Sequence, residues 1–289
     1  MPGPKLDGAD RLAAETFLKA IEKTDDGFYT SSTFDKLFGA AHMTRAVGKP
    51  IHFPHQHLVA ATRHFGHLAT LIHKIAWLAE RRAAGELDDG MWMYFCGSDI
   101  LTFHIIMRSL FDEVSAMASR LAARKGTVPE SFDGLKKWLS KNARNKSELG
   151  LELAEAVGSC DWFEEMREVR DDLVHRSAQT IVFLEQRQVL FQVHVGPKRK
   201  ILIPPVMFNE NVVDFTAYSA LLMARLATFL NRFAMAVFAV INDFDEEQDL
   251  SIHPVIQRRF RSTPEPTPGT SSAGVTVTRL PRTSTRPRL

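Results

Sequence analysis

The segment Arg170-Asp171-Asp172-Leu173-Val174-His175-Arg176 holds the residue types needed to cleave RNA without a metal. A histidine titrates near neutrality, so His175 can take the proton of a ribose 2′-hydroxyl. A guanidinium is a planar fork of donors, so Arg170 can grip the scissile phosphate and offset its developing charge. Asp171 lies four residues before His175, one helical turn away, and is placed to hold one imidazole nitrogen and set its tautomer.

Two other Arg–His pairs have related spacing. Arg45…His52 runs into the Gly48-Lys49-Pro50 break, and Arg187…His194 lies along an expected strand. Only Arg170…His175 sits late on an amphipathic helix that another long apolar helix follows. On an ideal helix these two residues are about 140° apart. Sharing one site then requires that the helix end or kink near Val174, or that a second protomer supply the complement.

The Arg-x4-His spacing, the polar residue after the arginine and the Leu-Val-His-Arg ending resemble the Rx4–6H signature of the HEPN superfamily. The resemblance implies a helical bundle with the motif near the end of a late, core-packed helix. It implies a metal-independent endoribonuclease of the kind found in toxin–antitoxin, phage-defence and stress systems, giving 2′,3′-cyclic phosphate ends. Arg170 would bind phosphate, His175 would act as general base or acid, and Asp171 would modulate. A homodimer with the two motifs facing across a cleft is implied, as is restraint by an antitoxin or partner protein. The alternative within the same resemblance is a non-catalytic module for dimerisation and docking.

A second constellation is histidine-rich. His52, His55, His57, His64, His67 and His73 fall within 22 residues, with His104 further on. His64 and His67 share a helix face, as a metal pair would. There is no HExxH or CxxC spacing and no nearby cysteine, so the expectation is a mixed surface and core set with no metal. No GxxxxGK[ST], GxGxxG or GxSxG occurs in a nucleotide-binding or hydrolase context, and no cofactor is expected.

The elements that must position these residues are mostly helices. Helical periodicity covers residues 10–24, 31–46, 55–84, 99–124, 160–176 and a final long helix to about 242, with one or two shorter helices in 131–157. Gly85 to Gly97 reads as a break, with Ser98 or Asp99 as the following cap, and Asn209 or Asn211 is expected to cap the last helix. At about 180–203 the period shortens. TIVFLE, QVLFQVHV and RKILI read as a three-stranded antiparallel meander. The fold class is therefore all-α in the main, an antiparallel bundle with a small β insertion before its last long helix.

Composition sets the limits. The chain has 289 residues, 45% of them apolar, enough to bury a core. The net charge of +2 conceals a split: residues 251–289 hold seven Arg and one Glu, +6, leaving −4 for the first 250. Bulk charge is thus no argument for nucleic-acid binding. The expected organisation is an N-terminal helical extension (1–50), the bundle (51–250) and a disordered basic Ser/Thr/Pro/Arg tail (251–289). Two cysteines, Cys96 and Cys160, exclude a disulfide scaffold and fit a reducing cytoplasm. Charged and polar residues interrupt the apolar stretch 212–241, which reads as a core helix with no role in a membrane.

Overall fold

The computed structural model describes residues 21–23, 29–46, 54–122, 128–175, 180–185, 188–193, 207–209 and 211–246. The chain divides at Gln248, and the second unit, 249–289, lies outside the described residues together with the expected tail. Among the described residues the fold is eight helices and two small sheets.

A short hairpin opens the described chain. Strand β1 (Ile21–Lys23) pairs antiparallel with β2 (Tyr29–Ser31), Ile21 opposite Ser31. This corrects the expected helix at 10–24, whose last residues are strand; residues 1–20 lie outside the described set. The intervening sequence contains Asp26-Gly27, a dipeptide that favours hairpins over helical periodicity. Helix α1 (Ser32–Ala46) and helix α2 (His55–Ala83) follow as expected. The inward stripe of α2 is Leu58, Ala61, Phe65, Leu68, Ile75 and Leu78, all buried.

Helix α3 (Asp89–Leu121) departs from the expected break at 85–97. Asp88 caps it, accepting from the Met91 amide at 2.8 Å, and the helix runs unbroken for 33 residues. Gly97 is not a breaker. A Cβ there would lie 2.7 Å from the Thr180 carbonyl oxygen, so glycine lets the following β segment pack on the helix. Ser98 and Asp99 are therefore mid-helix, and the buried Asp99 accepts from Lys74 of α2 at 2.8 Å.

Three short helices follow: α4 (Phe132–Lys141), α5 (Ala143–Leu149) and α6 (Leu151–Gly158). Ser131 and Asn142 cap the first two through their side chains. Helix α7 (Phe163–His175) carries the Arg170…His175 segment. Phe163, Met166, Val169 and Leu173 form its buried face, and Trp162 is buried just before it.

The β insertion is present but built differently from a meander. Strands β3 (Val182–Glu185) and β4 (Gln188–Gln192) pair as expected, Phe183 opposite Leu190. The expected third strand, 199–203, lies outside the described residues. The sheet is completed by β5 (Met207–Asn209) and β6 (Val212–Asp214), in the order β3-β4-β6-β5, antiparallel throughout. Asn209 belongs to a strand and Asn211 precedes one, so neither caps a helix. Asp214 does, accepting from the amides of Thr216 (2.8 Å) and Ala217 (3.3 Å) to start α8 (Phe215–Glu246). The β-branched pair Val212-Val213 fits a strand against β4 better than an extra helical turn.

Helix α8 is the one described helix long and apolar enough to cross a membrane, over Phe215–Ile241. More than half of that window is buried within the protein, as a core helix would be. Its Phe229 joins Phe111 of α3, Phe132 of α4 and Phe163 of α7 in a buried aromatic cluster, with ring centroids 4.7 to 5.6 Å apart. The cluster fixes α3, α4, α7 and α8 against one another, and the Arg170…His175 segment stands on it.

Candidate functional site

The polar edge of α7 faces the polar edge of α3 across a groove of about 510 Å³. Ile105, Arg108, Ser109 and Asp112 of α3 form one wall, and Arg167, Arg170, Asp171 and His175 of α7 form the other. Asp133 of α4 completes the lining. All three residues singled out in the sequence, Arg170, Asp171 and His175, thus border the same groove.

Helix geometry explains why. Arg167, Asp171 and His175 are four residues apart and form one stripe. Arg170 lies to the side, nearer the buried face, but its long side chain reaches the stripe. Its Nη1 donates to the Asp171 carboxylate at 2.7 Å. His175 is the last described residue of the helix and is exposed. No kink at Val174 is needed.

One expected contact is absent. The Asp171 carboxylate is engaged by Arg170, and among the described residues His175 has no hydrogen-bond partner. A guanidinium one residue away offers a charge-assisted bond that an exposed imidazole does not match.

Two arginines that sequence reasoning passed over complete the groove. Arg108 lies over the Phe163 ring (5.1 Å to its centroid) and donates to Asp112 at 3.2 Å. Arg167 donates to Asp133 at 2.6 Å and pairs with Glu164 at 2.8 Å. The available signal was Arg108 and Asp112, an oppositely charged pair one turn apart on α3.

The groove is electrically balanced, with three guanidiniums (Arg108, Arg167, Arg170) against three carboxylates (Asp112, Asp133, Asp171). Two carboxylates have other partners. Asp112 also accepts from the Phe132 amide at 2.9 Å, and Asp133 from Lys137 at 2.7 Å. Burial opposes ionisation of Asp133, but the Lys137 hydrogen bond and the Arg167, Lys137 and Arg108 charges outweigh it and hold the carboxyl below its usual range. The Nε–H groups of Arg167 and Arg170 are buried without an acceptor.

The histidine-rich constellation does not converge. His57 meets Glu113 of α3 at 2.7 Å, and His55 sets its ring edge on Phe38. His67 and His73 are exposed, and His52 lies outside the described residues. Among the described residues no three His, Cys, Asp or Glu side chains are placed to hold a metal ion. His104 is fully buried. Its Nδ1–H donates to the Ile100 carbonyl at 2.8 Å, so Nε2 accepts from the Tyr218 hydroxyl at 2.9 Å. Burial lowers its pKa to about 4, and it stays neutral. Cys160, at an expected helix start, is buried, as is Cys96.

No protein-family model, curated protein or solved structure matches this chain.

Proposed function

We propose that this protein is a metal-independent endoribonuclease of HEPN type. The observation that carries the reading is the groove that gathers Arg170, Asp171 and an exposed, unengaged His175 on one wall. His175 takes the 2′-OH proton as the 2′-oxygen bonds to phosphorus. The P–O5′ bond breaks, and the departing oxygen takes a proton from water. The products are a 2′,3′-cyclic phosphate and a 5′-hydroxyl. Arg170 leaves Asp171 to hold the phosphorane, where a fixed guanidinium lowers the barrier most.

The proposal includes a homodimer. Tyr94 and Ile105 are eleven residues apart on α3, so they lie within about 20° of each other on its outward side. Both are exposed, at 64% and 42%, and the line they form ends in the groove. A second copy seated there would bring two motifs together; an antitoxin or other partner would compete for the same line. A setting in phage defence or stress, in the cytoplasm, follows from the motif resemblance alone.

The test is cleavage of a panel of synthetic RNAs in EDTA by wild type, Arg170→Ala and His175→Ala, with analysis of product ends. Wild type should leave cyclic phosphates, and each variant should lose about 100-fold or more. Absence of cleavage by wild type, or variants as active as wild type, ends the reading. The non-catalytic interaction module then stands in its place. One observation favours it: every guanidinium in the groove already has a carboxylate partner.

A further inference from the structure

We infer that Arg108 and Arg167 form a second anion subsite beside Arg170 and His175, so the groove takes a single-stranded oligonucleotide by two consecutive phosphates. This rests on the nuclease reading for the identity of the ligand and extends it to the substrate's minimum size.

The two arginines come from opposite walls, Arg108 from α3 and Arg167 from α7; Arg167 donates to Asp133 at 2.6 Å, and Arg108 donates to Asp112 at 3.2 Å and adds its charge near Asp133. A guanidinium held on a carboxylate, with a second guanidinium on the facing wall, marks a seat for an anionic oxygen. Asp133 occupies that seat but does not depend on it, because Lys137 also holds it at 2.7 Å. Asp112 likewise keeps the Phe132 amide if Arg108 turns away. An incoming phosphate can therefore replace both carboxylates without leaving either stranded, which would otherwise carry a large desolvation cost. Phe163 beneath Arg108 keeps that guanidinium at the wall during the exchange.

Spacing supports the pairing of subsites. Arg167 and Arg170 are separated by about 4.5 Å along the helix axis, and Arg167 and His175 by about 12 Å. Arginine side chains add several ångströms of reach on either side. Arg167 and Arg170 thus follow one another along one wall, with Arg108 on the facing wall, as a phosphodiester backbone presents its charges in succession. A mononucleotide would fill only one end.

The experiment uses full-length His175→Ala protein and a 2′-O-methyl tetranucleotide, so that neither partner supports cleavage. Each of the three linkages is made neutral in turn as a methylphosphonate, and binding is followed by fluorescence anisotropy. Neutralising the central linkage or one flanking linkage should each weaken binding by about tenfold. Adding Arg108→Gln or Arg167→Gln should reduce the flanking effect to less than about twofold and leave the central effect in place. Arg108→Lys and Arg167→Lys, which keep the charge, should retain part of it.

Equal binding of native and flank-neutral oligonucleotides overturns the subsite, as does full discrimination in the Gln variants or no binding at all. If a Gln variant fails to fold, the modified oligonucleotides on the otherwise intact groove decide the matter alone. The two proposals fail separately. A flanking effect in a protein whose wild type cuts no RNA keeps the subsite and discards the chemistry. Cleavage without a flanking effect does the reverse.

Discussion

Arg170 and Asp171 are sequence neighbours that bind each other, Nη1 to Oδ1 at 2.7 Å, while His175 one turn beyond Asp171 stays open. Adjacent residues on a helix normally point apart. Here the length of the arginine lets it swing back over the stripe that Asp171 shares with His175. Asp171 therefore acts as a latch on the guanidinium in the resting protein.

Releasing that latch should be measurable. Asp171→Asn keeps the shape of the side chain and removes its charge. Binding of a non-cleavable RNA should tighten severalfold, since the phosphate no longer competes with a carboxylate for Arg170. Anisotropy with a 2′-O-methyl oligonucleotide measures this. Unchanged affinity with lost cleavage would instead assign Asp171 to orienting the imidazole.

Gly97→Ala should destabilise the protein by roughly 1–3 kcal/mol. Alanine is the better helix former by about 1 kcal/mol. The clash prevails because the obstacle, the Thr180 carbonyl at 2.7 Å, is backbone and cannot rotate away. Urea unfolding measures the loss, and a gain in midpoint would show that the backbone at Thr180 can shift at no cost.

Gly97 also shows where the sequence was legible and where it was not. Apolar periodicity located α1, α2, α7 and α8, because each helix turns one stripe inward. The β insertion was visible from its shorter period. Glycine is ambiguous, since the same residue ends a helix or admits a close neighbour, and the neighbour, Thr180, is 83 residues away. The start of α8 was missed for a similar reason: Asp214 as strand end and cap is a tertiary choice. At the site, the residues of α7 were legible because they are local. Arg108, Asp112 and Asp133 come from other helices, and only the packing of the Phe111–Phe132–Phe163–Phe229 cluster brings them to the groove.

Stability should fall on mild acidification. His104 is held neutral in the folded protein with its pKa lowered to about 4, and an unfolded histidine titrates near 6.5. The unfolded chain therefore binds more protons between those values. The contribution is fully present above about pH 6.5 and lost as pH falls toward 4, by roughly 3 kcal/mol. Burial lowers His64 too, in the same direction. Denaturant midpoints measured from pH 7.5 to 4.5 should show the slope in wild type and a shallower one in His104→Gln. Identical slopes would reject the assignment.

The two thiols should be silent. Burial raises the Cys96 pKa to about 12 and pushes Cys160 up as well, so neither forms the reactive thiolate at neutral pH. A chromogenic disulfide reagent should label neither in native protein and both in denaturant, with the native rate set by unfolding. Prompt labelling of one thiol would contradict its burial.

Asp214 belongs to two structures at once. Its backbone is the last rung of β6 opposite Leu190, and its carboxylate satisfies the first free amides of α8. Peeling the strand away would strip the helix of its cap, and fraying the helix would loosen the strand. Amide protons of β4 and of the first turns of α8 should therefore exchange with deuterium at matched rates, because the sheet and the longest C-terminal helix open as a single unit.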